Sequence, residues 1–401
     1  MVAINASQVV NRLQALKPTK QIKHNTAPFL LNLANIKANK SPIMASSSVY
    51  KQTPPGNYLV NNLADSPASK SLTRSVRQSI NDFQLTSADA QTAQASNKLQ
   101  AWASPFRLAE AVSKLYPRSS GDHLKNIARL VIFGDSLSDS RGRMFEKSHR
   151  ILPSYGQYYD GRFTNGFVWG EYLSSPSFLK KDLINYAEGG STSARYSPFN
   201  LYANTLSNLD SQMQDYQPSA RDLTILFLGA NDYLLLGENS VLKVIQKQID
   251  DVERLLKLGV DNILVMGIPD LSLTPQSGQD DNKRKFSDIS TAHNAVLLKN
   301  IEALKARYPA KKIFYFDTSS AFNHICRIAD NIGYNTTESY THHGYIHLPI
   351  EHNPALNISP EYLFNDGVHP TQEVHHAFAT MLAHFISRHY SQNSQRAAGE
   401  K

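Results

Sequence analysis

From about residue 129 onward the chain alternates two apolar patterns. Arg129-Leu-Val-Ile-Phe133, Leu183-Ile-Asn-Tyr-Ala187, Leu223-Thr-Ile-Leu-Phe-Leu228, Asn262-Ile-Leu-Val-Met-Gly267 and Lys312-Ile-Phe-Tyr-Phe316 are short apolar runs of strand length. Strands covered on both faces require such runs. Between them, over Val241 to Leu258, Ile289 to Tyr308 and Thr371 to His389, apolar residues recur at helical spacing. Strand and helix in alternation predict a doubly wound α/β fold with a central parallel sheet, whose ligands sit at the carboxyl ends of the strands.

Upstream the pattern changes. Leu72, Val76, Ile80 and Phe83, then Leu99, Trp102, Phe106, Ala109, Val112 and Tyr116, fall at steps of three and four and predict amphipathic helices. Residues 1–60 are rich in Asn, Ser, Lys and Pro with little periodicity, the composition of a flexible leader. The division expected is therefore a leader over 1–60, a helical extension over 61–120, an α/β domain over 121–392 and a disordered tail over 393–401. Ser119-Ser120-Gly121 makes a plausible hinge. No internal repeat is found.

Charge sharpens this division. The first 120 residues hold 14 Lys and Arg against 4 Asp and Glu, a net of +10, while the remaining 281 hold 27 against 30, a net of −3. The basicity belongs to the extension and is scattered among Ser, Gln, Asn and Ala, so nucleic acid is not an expected partner. One cysteine, Cys326, excludes a disulfide framework. No apolar run reaches the length of a membrane-spanning helix, and the first residues lack the charged region, apolar core and cleavage site of a secretory signal.

Four fragments carry candidate chemistry. The first strand delivers Gly134-Asp135-Ser136-Leu137-Ser138-Asp139, where a serine at a strand-to-helix turn exposes its hydroxyl near a helix N-terminus. Ordinary turn and N-cap chemistry is the competing reading. Asn231, after the third strand, offers an amide donor that does not titrate, or a helix cap. Gly190, in Glu188-Gly189-Gly190-Ser191, lets a backbone N–H approach a ligand, or simply turns the chain. In Asn365-Asp366-Gly367-Val368-His369-Pro370, an Asp three residues before a His can aim its carboxylate at one imidazole nitrogen while the other faces the serine.

The set Ser136, Gly190, Asn231, His369, with Asp366 beside it, resembles the GDSL or SGNH hydrolase family, which has a flavodoxin-like three-layer fold. Phe133-Gly-Asp-Ser-Leu-Ser-Asp-Ser140, Gly161-Arg-Phe-Thr-Asn-Gly166, Asn185-Tyr-Ala-Glu-Gly-Gly-Ser-Thr-Ser193 and Phe364-Asn-Asp-Gly-Val-His-Pro-Thr371 are similar to its glycerophospholipid:cholesterol acyltransferase branch, over about residues 128–390. The resemblance implies Ser136 as nucleophile, His369 as base, Asp366 as triad acid with Asp232 as the alternative, and Gly190 and Asn231 in the oxyanion hole. It implies no cofactor and no metal. Substrates would be phospholipid and cholesterol in membranes, with a GTP-bound Rho-family GTPase of the host as activator. Type III secretion into host cells and a peripheral position on host membranes follow for effectors of this branch. The rival readings are a carbohydrate or small-ester esterase on the same fold, and a non-catalytic effector that binds a GTPase or a membrane.

Other features admit two readings. His342, His343, His347 and His352 with Glu351, and His375-His376, suggest a metal but match no ligand spacing. Gly189-Gly190-Ser191-Thr192 lacks both nucleotide-binding patterns. Trp169 with Phe163, Phe167 and Tyr172 forms either a lipid-facing rim or core. The basic N-terminus is a secretion leader, a membrane-surface anchor or, over 69–116, a helical layer packed on the α/β domain.

Overall fold

The computed structural model describes residues 106–391 apart from 118–120, 141, 149, 151, 155–156, 197–199, 201–205, 279 and 342–358. The expected leader, most of the helical extension, the tail beyond 391 and the cluster His342, His343, His347, Glu351 and His352 lie outside the described residues.

Five parallel strands form the central sheet: β1 (Arg129–Gly134), β2 (Asp182–Asn185), β3 (Asp222–Phe227), β4 (Asn262–Met266) and β5 (Lys312–Phe316). Their spatial order is β2-β1-β3-β4-β5. Successive side chains point to opposite faces, so one sequence run feeds two cores. Leu130, Ile132, Leu223, Ile225, Phe227, Leu264 and Met266 face one way, and Val131, Phe133, Leu226, Ile263 and Val265 the other.

The first core is closed by α1 (Arg107–Leu115), α3 (Trp169–Ser174), α8 (Thr318–Asn331) and α9 (Gln372–Tyr390). The second is closed by α4 (Leu209–Met213), α6 (Val241–Lys257) and α7 (Asp280–Arg307). Short α2 (Arg143–Lys147) and α5 (Ala230–Leu234) follow β1 and β3. A separate pair, β6 (Asn335–Ser339) and β7 (Tyr362–Phe364), precedes α9. No described helix is long and apolar enough to cross a membrane.

The order of the strands decides where a site forms. Because β2 and β3 flank β1, the chain leaves β1 toward one side and β3 toward the other, opening a crevice at the carboxyl ends of β1 and β3. At the opposite end Arg129 grips Asp222 through two hydrogen bonds of 2.6 and 2.8 Å, fixing the register of β1 on β3.

Helix α7 begins nine residues before the expected start at Ile289, because its first turns, 280–288, hold a single apolar residue, Phe286, and so show no apolar stripe. Helix α1, from the extension, packs into the first core. Leu108 and Val112 are fully buried there. The Leu108 N–H, unpaired within its own helix, donates to Tyr334 Oη at 3.2 Å, and Tyr334 donates to the buried Glu373 at 2.7 Å. Arg107 adds a bond to the Ile332 carbonyl. Helix α1 is thus part of the first core together with α3, α8 and α9. Leu108→Ala should lower unfolding stability by about 2–5 kcal/mol in urea denaturation, while Lys114→Ala should change it by less than about 0.5 kcal/mol; equal effects would detach α1 from the core.

Candidate active site

Ser136 lies two residues beyond β1, in a turn closed by bonds from the Ser138 and Asp139 N–H groups to the Asp135 carbonyl, both 3.0 Å. The expected helix N-terminus is not at Ser136. Asp139 instead caps α2 four residues further on, its carboxylate accepting from the Arg143 and Met144 N–H groups at 3.0 and 3.3 Å. That carboxylate also accepts the Gly189 N–H at 2.9 Å, which ties the turn after β1 to the turn after β2.

His369 arrives from 233 residues away, and its Nε2 lies 2.7 Å from Ser136 Oγ. Its Nδ1 lies 2.7 Å from Asp366 Oδ2. Asp366 Oδ1 accepts the Val368 and His369 N–H groups, both at 2.8 Å, so Asp366 and His369 are locked by their own loop. Burial acts to raise the Asp366 carboxyl, but His369 and these N–H donors outweigh it and hold the group below the usual range. Tyr158 completes this carboxylate by donating to Oδ2 at 2.7 Å. Its phenol stands 208 residues from its partner, and nothing in the local sequence marks it.

Asp232 has a different task. Its oxygens accept the Ser193 and Ala194 N–H groups at 2.8 and 2.9 Å and the Tyr196 hydroxyl at 2.8 Å. No bond joins it to His369 among the described residues. Neighbouring Asn231 donates one amide hydrogen to the Ser191 carbonyl at 2.9 Å and retains a second. Gly190 has φ 78°, a backbone that favours glycine. Among the described residues, the Ser136 and Gly190 N–H groups have no protein acceptor. Gln212 holds these parts in register, because its amide bonds the Gly134 N–H, the Gly134 carbonyl and Ser191 Oγ at 2.9, 2.7 and 3.0 Å.

The block Gly161-Arg-Phe-Thr-Asn-Gly166 seats the histidine loop. Thr164 Oγ1 donates to the Pro370 carbonyl at 2.8 Å, and Asn165 Oδ1 accepts the Gln372 N–H at 2.9 Å at the start of α9. Arg162 is buried in a two-bond pair with Glu171 and lies over Tyr159 and Phe167. Phe163 lies against the His369 ring, centroids 5.1 Å apart. Trp169, Phe163, Phe167 and Tyr172 are all buried, so they form core and not an exposed rim. Trp169 donates from Nε1 to Ser138 Oγ at 3.1 Å and from its backbone to His375 Nδ1 at 3.3 Å. His376 packs among Phe106, Tyr172 and Phe178.

This arrangement aligns a hydroxyl, an imidazole and a carboxylate for proton removal, with N–H donors around them for an oxyanion. The model of the GDSL-like lipase/acylhydrolase family matches residues 130–382. The chain belongs to that family. It is 58% identical over 286 residues to the secreted effector protein SseJ of Salmonella typhimurium, covering 71% of this chain and 70% of that one. It is 31% identical over 320 residues to the phosphatidylcholine-sterol acyltransferase of Aeromonas hydrophila, covering 68% of this chain and 93% of that one. The thermolabile hemolysin of Vibrio parahaemolyticus is 28% identical over 283 residues, covering 64% and 63%. As a GDSL acylhydrolase the chain is a serine-type enzyme acting on esters.

Asp135 bears on how the site tolerates pH. Burial pushes its carboxyl up to about 7, against the Leu137 N–H and His369, which favour its charge. Its folded value lies above its unfolded one, so between about pH 4 and 7 the native state keeps a proton that the unfolded chain releases, and stability falls as pH rises through that window. Asp139 and Asp232, each raised by burial to about 6, add to the same slope. Asp135→Asn should flatten this fall, measured as the urea midpoint between about pH 4 and 7. An unchanged slope would show that Asp135 titrates normally.

Proposed function

We propose that this enzyme takes an acyl chain from a glycerophospholipid through an ester on Ser136 and passes it to cholesterol, or to water as a phospholipase. The observation that carries this reading is the unbroken line Ser136 Oγ, His369, Asp366, with two contacts of 2.7 Å. His369 Nε2 takes the Ser136 proton as Oγ attacks the ester carbonyl, and returns it to the departing lysophospholipid oxygen. The acyl-serine then meets a sterol hydroxyl or water, whose proton passes to His369 as the new ester or acid forms and Ser136 is released. The oxyanion is held by the Ser136 and Gly190 N–H groups and the free Asn231 hydrogen, a single such donor being worth about 3 kcal/mol. Asp366 is the acid of the triad, while Asp232 positions the 193–196 segment beside Asn231.

The phosphatidylcholine-sterol acyltransferase name of one relative supports the donor and acceptor. The effector name of another supports secretion into a host cell and work at host membranes, with residues 1–60 as the leader. Activation by a GTP-bound Rho-family GTPase of the host belongs to the same reading and rests on the resemblance to that effector branch.

Incubation with phosphatidylcholine and cholesterol vesicles, with and without GTP-loaded Rho GTPase, should yield cholesteryl ester that disappears in Ser136→Ala. Free fatty acid alone would make the enzyme a phospholipase, and neither product would favour a carbohydrate esterase or a binding effector. Asp366→Asn should reduce kcat by about 10⁴-fold with little change in Tm. Asp232→Asn should chiefly lower Tm; the reverse pattern would exchange their roles.

A further inference from the structure

Apart from the two cores that pad the faces of the sheet, the molecule holds a third, small apolar cluster: Met144, Leu152, Phe163 and Leu206, with half-buried Leu235 and Leu236 packed against them. It belongs to neither face of the sheet. Its members instead touch three parts of the reaction site. Phe163 lies against the His369 ring at 5.1 Å. Leu206 Cδ2 and Met144 Cε stand 3.1 and 3.8 Å from the point where Gly190 would carry a β-carbon. The Asn231 carbonyl accepts the N–H groups of both Leu235 and Leu236, at 3.0 and 3.2 Å, so these two leucines are set by the turn that presents the Asn231 amide.

The residues at the open edge are unusual for a surface. Leu234, Leu235 and Leu236 follow one another, all half-buried, where α5 ends, and Gly237 with φ 63° turns the chain away after them. Consecutive part-exposed leucines keep apolar area in water unless something apolar covers it. The charged groups beside Gly189 do not intrude, since Lys147 and Glu188 are paired with each other at 2.5 Å.

We propose that the half-buried edge of this cluster is the seat of the acyl chain: the methylenes of the ester lie along Leu235 and Leu236, which buried Phe163, Met144 and Leu206 support from behind, while the carbonyl sits at Ser136. The assignment rests on the proposed serine acyl-transfer chemistry and specifies which surface selects the chain. It also names the specificity residues. Each methylene removed from water strengthens binding roughly fourfold, so an intact seat makes kcat/KM climb with chain length.

The test uses p-nitrophenyl acetate and p-nitrophenyl octanoate with the full chain, Leu235→Trp, Leu236→Trp, Ser136→Ala and Leu298→Trp. Leu298 is exposed on α7, away from the site, and controls for surface substitution. The quantity read is the octanoate-to-acetate ratio of kcat/KM, in which the fraction of folded enzyme cancels. Filling the edge with an indole should lower this ratio by about fifteenfold or more, equivalent to at least two methylenes displaced, in Leu235→Trp or Leu236→Trp and not in Leu298→Trp. A ratio within about twofold of the parent in both leucine variants overturns the acyl seat, since that is less than one methylene. Acetate turnover that survives in Ser136→Ala overturns the serine chemistry itself, whatever the ratios do.

Discussion

The site depends first on a clamp outside the sheet. His369 belongs to no strand of the central sheet, and its loop enters the crevice only because the 162–166 segment holds it there. Thr164 takes the carbonyl of Pro370 and Asn165 takes the first free N–H of α9, so both ends of the bend after His369 are pinned to one short stretch of chain. Arg162, paired with Glu171 and lying over the Tyr159 and Phe167 rings, anchors that stretch in turn to the start of α3. The distance between Ser136 and His369 is thus set by a loop resting on a loop, with a buried ion pair beneath both. Loss of one partner of such a pair leaves an uncompensated charge, which costs far more than the pair contributes.

Two more buried carboxylates at the site, Asp139 and Asp232, do structural tasks. Asp139 joins the turns after β1 and β2, and Asp232 gathers the 193–196 segment. Burial penalises their charge, and the backbone donors they collect lower that penalty without abolishing it. The exchange is one of stability for position: fixed acceptors orient the turn after β2 and the 193–196 segment.

Much of this was legible in the sequence because its signals are local. Apolar runs locate all five strands within two residues at the ends, since strands covered on both faces need no polar alternation. The polar β6 and the first turns of α7 left no such trace, their exposure removing any need for apolar periodicity. At the site, Asp366 and His369 could be paired from a three-residue spacing. Tyr158 and Gln212 escaped notice because their partners lie 208 and 78 residues away, and a lone Tyr or Gln carries no pattern. The helix N-terminus expected beside Ser136 failed for a related reason: Asp139 is a good cap, but for a helix starting at Arg143.

Trp169 gives the molecule a reporter of its own. The chain has two tryptophans, and this indole is sealed in the first core with its N–H on the nucleophile turn and its backbone on the helix that follows the histidine loop. Emission from such a ring is blue-shifted while the pocket is dry and hydrogen-bonded, and moves to the red when water enters. With Trp102 replaced by Phe, intrinsic fluorescence would report water entering the first core where it meets the turn after β1 and the start of α9, without any substrate present.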